Sequence, residues 1–191
     1  MAVLHITTQR YTDGRGWFSE AYHAKRFGQW GSVSAWCQDN HSFSARAGTL
    51  RGLHFQSGEQ AQAKLVRCVA GIIYDVAVDL RARSPTFGRW VAAELSAANG
   101  AQLLIPKGFA HGFLTLTDNC EVLYKVDAYY APSADSGVAW DDPDIGVVWP
   151  LPDGCAAPHL SDKDTALPPM AAIEVNFWYD GTPLTLGRVV Q

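Results

Sequence analysis

Apolar and polar positions alternate along the middle of this chain with a period of two, the period of a strand with one buried face. Val66 to Leu80 holds two runs of β-branched and aromatic residues broken at Ala70-Gly71. That break predicts a tight hairpin with Val66 opposite Asp75 and Lys64 opposite Ala77. In this register Lys64, Asp75 and Asp79 share one face, and Ile72, Tyr74, Val76, Val78 and Leu80 fill the other. A second hairpin is predicted from the runs 112–117 and 120–126 around the turn Asp118-Asn119. It sets Phe113 opposite Tyr124 and His111 opposite Val126, so that His111 and Tyr124 share a face. Short strands, frequent Gly and Pro, and few helical periods predict an all-β jelly-roll barrel or sandwich with a few short peripheral helices. One helix is expected over His23 to Trp30, and the Pro- and Asp-rich tail beyond Trp149 is expected to pack as loop and short helix. No repeat or linker divides residues 1–191, so one domain is expected.

Composition narrows the function classes. A length of 191 residues with 48% hydrophobic content can bury a full core. The formal charge of −4 argues against a nucleic-acid partner, because a groove binder carries a basic excess, although local basic groups can still hold a phosphate. Met1-Ala2-Val3-Leu4-His5 shows no charged leader before an apolar run, and no apolar stretch reaches membrane-spanning length. A cytoplasmic protein without a membrane partner is expected. Cys37, Cys68, Cys120 and Cys155 form no CxxC pair and are expected as reduced thiols.

The stretch 48–56 and the following run Ala63-Lys64-Leu65-Val66-Arg67 depart from an ordinary core strand. They place Arg51, His54, Lys64 and Arg67 among apolar neighbours, where an unpaired buried charge is costly. An edge strand with a solvated face would carry such groups; so would a polar site inside a barrel. Ile105-Pro106-Lys107-Gly108-Phe109-Ala110-His111 has the Pro-x-Gly-x-x-His spacing and is similar to the second motif of cupins, jelly-roll barrels that often hold a metal on three histidines and a glutamate. The first cupin motif, His-x-His-x-x-x-Glu, would here read His54, Gln56 and Gln60. Amides are poor transition-metal donors, so no metal is expected, with Glu59 the one neighbour able to reopen the question. Two histidines kept without a ligand set suggest acid–base chemistry instead.

Many further motifs occur in one order: 15–20, Gln38-Asp39-Asn40-His41-Ser42, Leu50 to Gln56, Lys64 to Arg67, Asp75 to Asp79, Ser84-Pro85-Thr86-Phe87-Gly88, Ile105 to Phe113, Leu123-Tyr124-Lys125 and 160–164. In this ordered set the chain resembles the dTDP-4-dehydrorhamnose 3,5-epimerase family over roughly residues 10 to 168. The resemblance implies a cupin-like jelly roll and a cofactor-independent epimerase. Its substrate would be a dTDP-linked 4-keto-6-deoxy sugar, inverted at C3 and C5, or at one carbon only in a close variant. A non-catalytic sugar-nucleotide binder is the alternative from another class.

By the same resemblance His54 is the base, Asp164 its orienting carboxylate, Lys64 the cation beside the C4 oxygen and Tyr124 the acid, with Asp75 and His111 in support. An imidazole, ordinarily titrating at about 6.5, suits proton abstraction near neutral pH, and a phenol at about 10 can deliver a proton to carbon. Arg15, Glu20, Gln38, Asn40, Arg51, Tyr130 and Lys163 match nucleotide contacts. Arg15 and Glu20 would reach the site of a dimer partner, through an exchanged segment of about residues 1–40. Asp135 and Trp17 stand where relatives commonly have glutamate and phenylalanine, and within the C-terminal extension over about 150–191 the part from Met170 to Gln191 carries no assigned role. Read without the resemblance, Tyr124, alternating with Val122 and Val126, reads first as a core aromatic, Lys64 equally as a salt-bridge partner of Asp75, His111 as a satisfied core histidine, and Asp162-Lys163-Asp164 equally as a solvated turn. Alternation also sets Arg51 and His54 on opposite faces unless Gly52 marks a bulge.

Overall fold

The computed structural model describes residues 2–30 and 35–190; residues 31–34, inside the segment expected to exchange with a partner, lie outside the described residues, as do Met1 and Gln191. The described chain runs through β1 (Val3–Thr7), the hairpin β2 (Tyr11–Asp13) and β3 (Gly16–Phe18), helix α1 (Ala24–Gly28), β4 (Gln38–Ser44) and β5 (Leu50–Gln56). It continues through β6 (Lys64–Ala70), β7 (Ile72–Asp79), β8 (Trp90–Ser96), β9 (Gln102–Ile105), β10 (Phe109–Thr115) and β11 (Cys120–Val126). Then follow β12 (Asp135–Gly137), helix α2 (Asp162–Thr165) and β13 (Leu186–Val190). One sheet has the order β13-β1-β9-β6-β11-β4 and the other β12-β5-β10-β7-β8. The two-sheet jelly roll agrees with the all-β expectation.

Neither predicted hairpin forms. β6 pairs with β9 and β11, whereas β7 pairs with β10 and β8 in the other sheet. Likewise β10 pairs with β5 and β7, and β11 with β4 and β6. The turns at Gly71 and at Asp118-Asn119 carry the chain from one sheet to the other. Gly71 has φ +76°, and a Cβ there would lie 2.5 Å from Cys120 Sγ, so this crossing point accepts glycine alone. The face assignments survive the change of partner. Ile73 and Ala77, in register with Asp75, pack between the sheets with Val66, Cys68, Leu103, Phe113 and Val122. Val76, Val78 and Leu80 point outward under Tyr74, Trp149, Ile173 and Phe177.

Asp79 keeps the parity of Asp75 but does not join the cleft. It is fully buried and accepts hydrogen bonds from Arg81 Nε and Nη2 (both 2.9 Å), Ser84 Oγ (2.7 Å) and Thr86 Oγ1 (2.8 Å), which makes it a structural anchor. α1 falls within the expected helical stretch and buries Phe27 against Ile6, Leu65 and Leu104 on the outer face of the six-stranded sheet. The tail holds the expected short helix α2, but it also adds β13 in parallel to β1, and Phe177 stacks edge-on to Phe55 of β5 at 5.9 Å.

Candidate active site

Four strands from two facing sheets bring the titratable groups together. His54 comes from β5, His111 from β10, Lys64 from β6 and Tyr124 from β11, and all four line one cleft of about 290 Å³ with Ser42, Arg51, Phe113, Ser161, Lys163 and Asp164. An adjoining lobe of about 210 Å³ shares His54, Lys64, Tyr124 and Lys163 and adds Gln38, Asn40, Tyr130 and Asp135.

Arg51 and His54 share the cleft because β5 carries a bulge. Between the pairs His54↔His111 and Arg51↔Phe113, Gly112 alone spans the interval that Gly52 and Leu53 span on β5. Gly52 has φ +135°, and a Cβ on it would stand 2.5 Å from Gly112 Cα, so the two backbones approach this closely only through glycine. The extra residue turns Arg51 to the same side as His54.

Asp164 reaches His54 from outside the barrel wall. Ser161 caps α2, its Oγ accepting from the Asp164 amide at 3.1 Å, and this turn aims the carboxylate so that His54 Nε2 lies 2.5 Å from Asp164 Oδ1. Burial alone would raise the Asp164 pKa, but hydrogen bonds from His54, Ser161 and the Gly52 amide hold it below the ordinary carboxylate value. An ionised Asp164 accepts from Nε2–H, which leaves the lone pair on Nδ1.

A second imidazole–carboxylate pair lies deeper: His111 Nε2 is 2.6 Å from Asp75 Oδ1, and both are buried. Burial pushes the His111 pKa below the ordinary histidine value, against the pull of Asp75. Lys64 is 8% exposed, and its Nζ donates to the His54 carbonyl at 3.4 Å. Burial lowers the Lys64 pKa to about 8, although the carboxylates of Asp75 and Asp135 work to raise it. Burial likewise raises the Tyr124 phenol above its ordinary value, so it keeps its proton at neutral pH.

The remaining expected residues divide. Gln38 Nε2 donates to Asn40 Oδ1 (2.9 Å), Arg51 is braced by Ser44 Oγ (3.2 Å) and the Phe43 carbonyl (2.9 Å), and Lys163 bonds Asp135 at 2.5 Å. Arg15 and Glu20 do not reach this cleft: Arg15 pairs with Asp13 at 2.7 Å on the β2–β3 hairpin and Glu20 with Arg26 at 3.0 Å. Arg67 points outward beside Leu65 and Val69. Two participants were given no role from the sequence, Asp135 being noted there only as a departure from the family and Ser161 only as part of a motif. Asp135 joins Lys163 to the Tyr130 hydroxyl (3.0 Å) and is placed by the β12–β5 pairing, which no local pattern announces. Ser161 was legible through the Ser-x-x-Asp capping pattern of Ser161 to Asp164.

The positions that hold metal ligands in cupins serve other ends here. Gln56 donates to the carbonyls of Gln60 (2.7 Å) and Tyr129 (3.1 Å) and accepts from the Ala131 amide (2.8 Å), and Glu59 is exposed. Both cleft histidines already spend Nε2 on carboxylates.

Comparison with known proteins bears on this arrangement. The family model described as dTDP-4-dehydrorhamnose 3,5-epimerase matches residues 1–172. The dTDP-4-dehydrorhamnose 3,5-epimerase of Salmonella typhimurium is 50% identical over 87% of this chain and 89% of its own length. The crystal structure of the enzyme of that name from Bacillus anthracis, with TDP and pyrophosphate bound, is 50% identical, covers 85% of this chain and 91% of its own, and superposes with a TM-score of 0.81. A Legionella pneumophila dTDP-6-deoxy-D-glucose-3,5-epimerase in complex with dTDP-4-keto-L-rhamnose is 43% identical, covers 88% of this chain and 87% of its own, and superposes at 0.83. With its ionisable groups gathered in one jelly-roll cleft, a family model that matches residues 1–172 and relatives 43–50% identical over the aligned residues, the chain belongs to the dTDP-4-dehydrorhamnose 3,5-epimerase family.

Proposed function

We propose that this chain is an isomerase that epimerises dTDP-4-dehydro-6-deoxy-D-glucose at C3 and C5 to dTDP-4-dehydro-L-rhamnose, using its own side chains as acid and base. One observation carries the reading: His54 and Tyr124 stand on facing sheets across a single cleft. A group on one sheet that removes a proton and a group on the other that returns one produce inversion, where a single acid–base would return the proton to its original face.

The Nδ1 lone pair of His54 takes the proton from the carbon beside the ketone, and the C–H electron pair moves into the carbonyl as an enolate. The imidazolium is stabilised by ionised Asp164. The ammonium of Lys64, held in a buried site, stabilises the enolate oxygen; preorganised charge of this kind contributes about 3 kcal/mol in comparable sites. As the carbonyl re-forms, the enolate carbon takes the Tyr124 phenol proton on the opposite face, and exchange with solvent then removes the proton from the imidazolium and returns one to the phenolate. Arg51 holds the diphosphate, and Gln38, Asn40, Tyr130 and Lys163 hold the nucleoside end.

The same reading includes a homodimer in which the partner's N-terminal segment completes the nucleotide site. Its support is that Arg15 and Glu20 lie away from their own cleft, on a segment that exposes Tyr11, Trp17 and Phe18. A cytoplasmic location is supported by four free thiols.

Incubation with dTDP-4-keto-6-deoxyglucose in deuterated water, followed by proton NMR, tests the chemistry. Deuterium at both C3 and C5 is expected; deuterium at one carbon makes the enzyme a single-site epimerase, and none at either rejects the proposal. Tyr124→Phe is expected to retain exchange while forming little inverted product.

A further inference from the structure

The inward row of β4 is a polar ladder along one wall of the cleft: Gln38, Asn40, Ser42 and Ser44 alternate with the outward Asp39, His41 and Phe43. Three of the four rungs are engaged. Gln38 bonds Asn40 and accepts from the Tyr130 amide, and Ser44 accepts from Arg51 Nε. Ser42 is different: its Oγ is buried from solvent and has no hydrogen-bond partner. Among the described residues five buried side-chain polar atoms share that condition, on Arg10, Ser19, His23, Ser42 and Asp75, and of these only Ser42 lines the cleft of His54 and Tyr124. A buried hydroxyl without a partner has lost water and gained nothing, so it marks a place where a bond forms in another state.

The neighbours say which bond. Ser42 sits opposite Val122, one inward position along from the Asn40↔Tyr124 pair, and two residues from Ser44, on which Arg51 rests. The residue is half-buried while its Oγ is shielded from solvent, so other atoms of Ser42 carry its exposed surface. Rotation of about 120° between staggered wells is the movement open to this hydroxyl. Ser42 and Arg51 line the same cleft, and a hydroxyl together with a guanidinium is a donor set suited to phosphate oxygens. We propose that Ser42 is a substrate-contacting residue whose hydroxyl rotates on binding and donates to the diphosphate of the nucleotide sugar beside Arg51, anchoring the sugar against Tyr124. This rests on the nucleotide-sugar reading of the cleft.

Titration calorimetry with dTDP and with thymidine, on the wild-type protein, Ser42→Ala and Ser42→Thr, tests it. Ser42→Ala is expected to weaken dTDP binding about tenfold while leaving thymidine unchanged, and Ser42→Thr, which keeps the donor, is expected to retain most of the dTDP affinity. Equal dTDP affinity in wild type and Ser42→Ala overturns the proposal. So does an equal loss for dTDP and thymidine, which would make the hydroxyl a support of the wall. A wild-type protein that binds no dTDP rejects the nucleotide reading itself, a separate failure.

Discussion

The cleft contains two imidazole–carboxylate pairs of nearly equal length that differ in everything else. In the His54–Asp164 pair the imidazole is 28% exposed, at the mouth of the barrel, and its carboxylate arrives on a capped helical turn 110 positions away. In the His111–Asp75 pair the imidazole is 7% exposed and both partners lie on adjacent strands of one sheet. The first can meet a substrate carbon. The second is set in the wall, where its negative member supports the charge of Lys64. A histidine bonded to an aspartate is thus not by itself a base; access and what lies beyond it decide the role.

The sharpest way to break this contrast is to remove each imidazole. His54→Asn is expected to lower kcat by about 10³-fold or more and to abolish deuterium exchange, whereas His111→Asn retains measurable exchange. Equal loss of exchange in both would erase the distinction. Removing the carboxylates comes next. Asp164→Asn, which offers its imidazole an amide instead of a fixed charge, is expected to cost about 10²-fold in kcat with KM nearly unchanged.

Asp75→Asn is expected to act through Lys64. Activity should fall as pH rises through about 8, where the ammonium loses its proton, while the phenol of Tyr124, raised by burial, stays protonated. Asp75 favours the charged form of Lys64, so its loss moves this alkaline limb to lower pH, read from kcat/KM against pH. A limb that stays in place would separate the deep pair from Lys64. The smallest effect belongs to Ser161→Ala, which removes the cap of α2. It should cost about 1 kcal/mol of stability in a thermal melt and lower kcat only a few-fold, through a looser Asp164.

The chemistry of the site was more legible than its architecture. Arg51, His54 and Lys64 stood out because ionisable groups interrupt apolar strands, His111 through its cupin-like motif spacing and Tyr124 only through the family resemblance, and Gly52 marked the bulge that turns Arg51 inward. Asp135 could not be found this way, since a three-residue strand in a polar loop has no periodic signal. Arg67 shows the opposite error: it sits in the same charged run as Lys64 but an odd number of positions away, and so faces out.

What the sequence determined by itself was the face on which each strand residue lies, since a period of two is a local property of an extended chain. Lys64 with Asp75, and His111 with Tyr124, do meet on one interior, as the alternation required. Only the tertiary structure decided their partners. The same alternation serves two strands side by side or two strands facing across a barrel, and burying the apolar faces of both sheets selected the second. That choice places His54 and Tyr124 on opposite walls of one cleft.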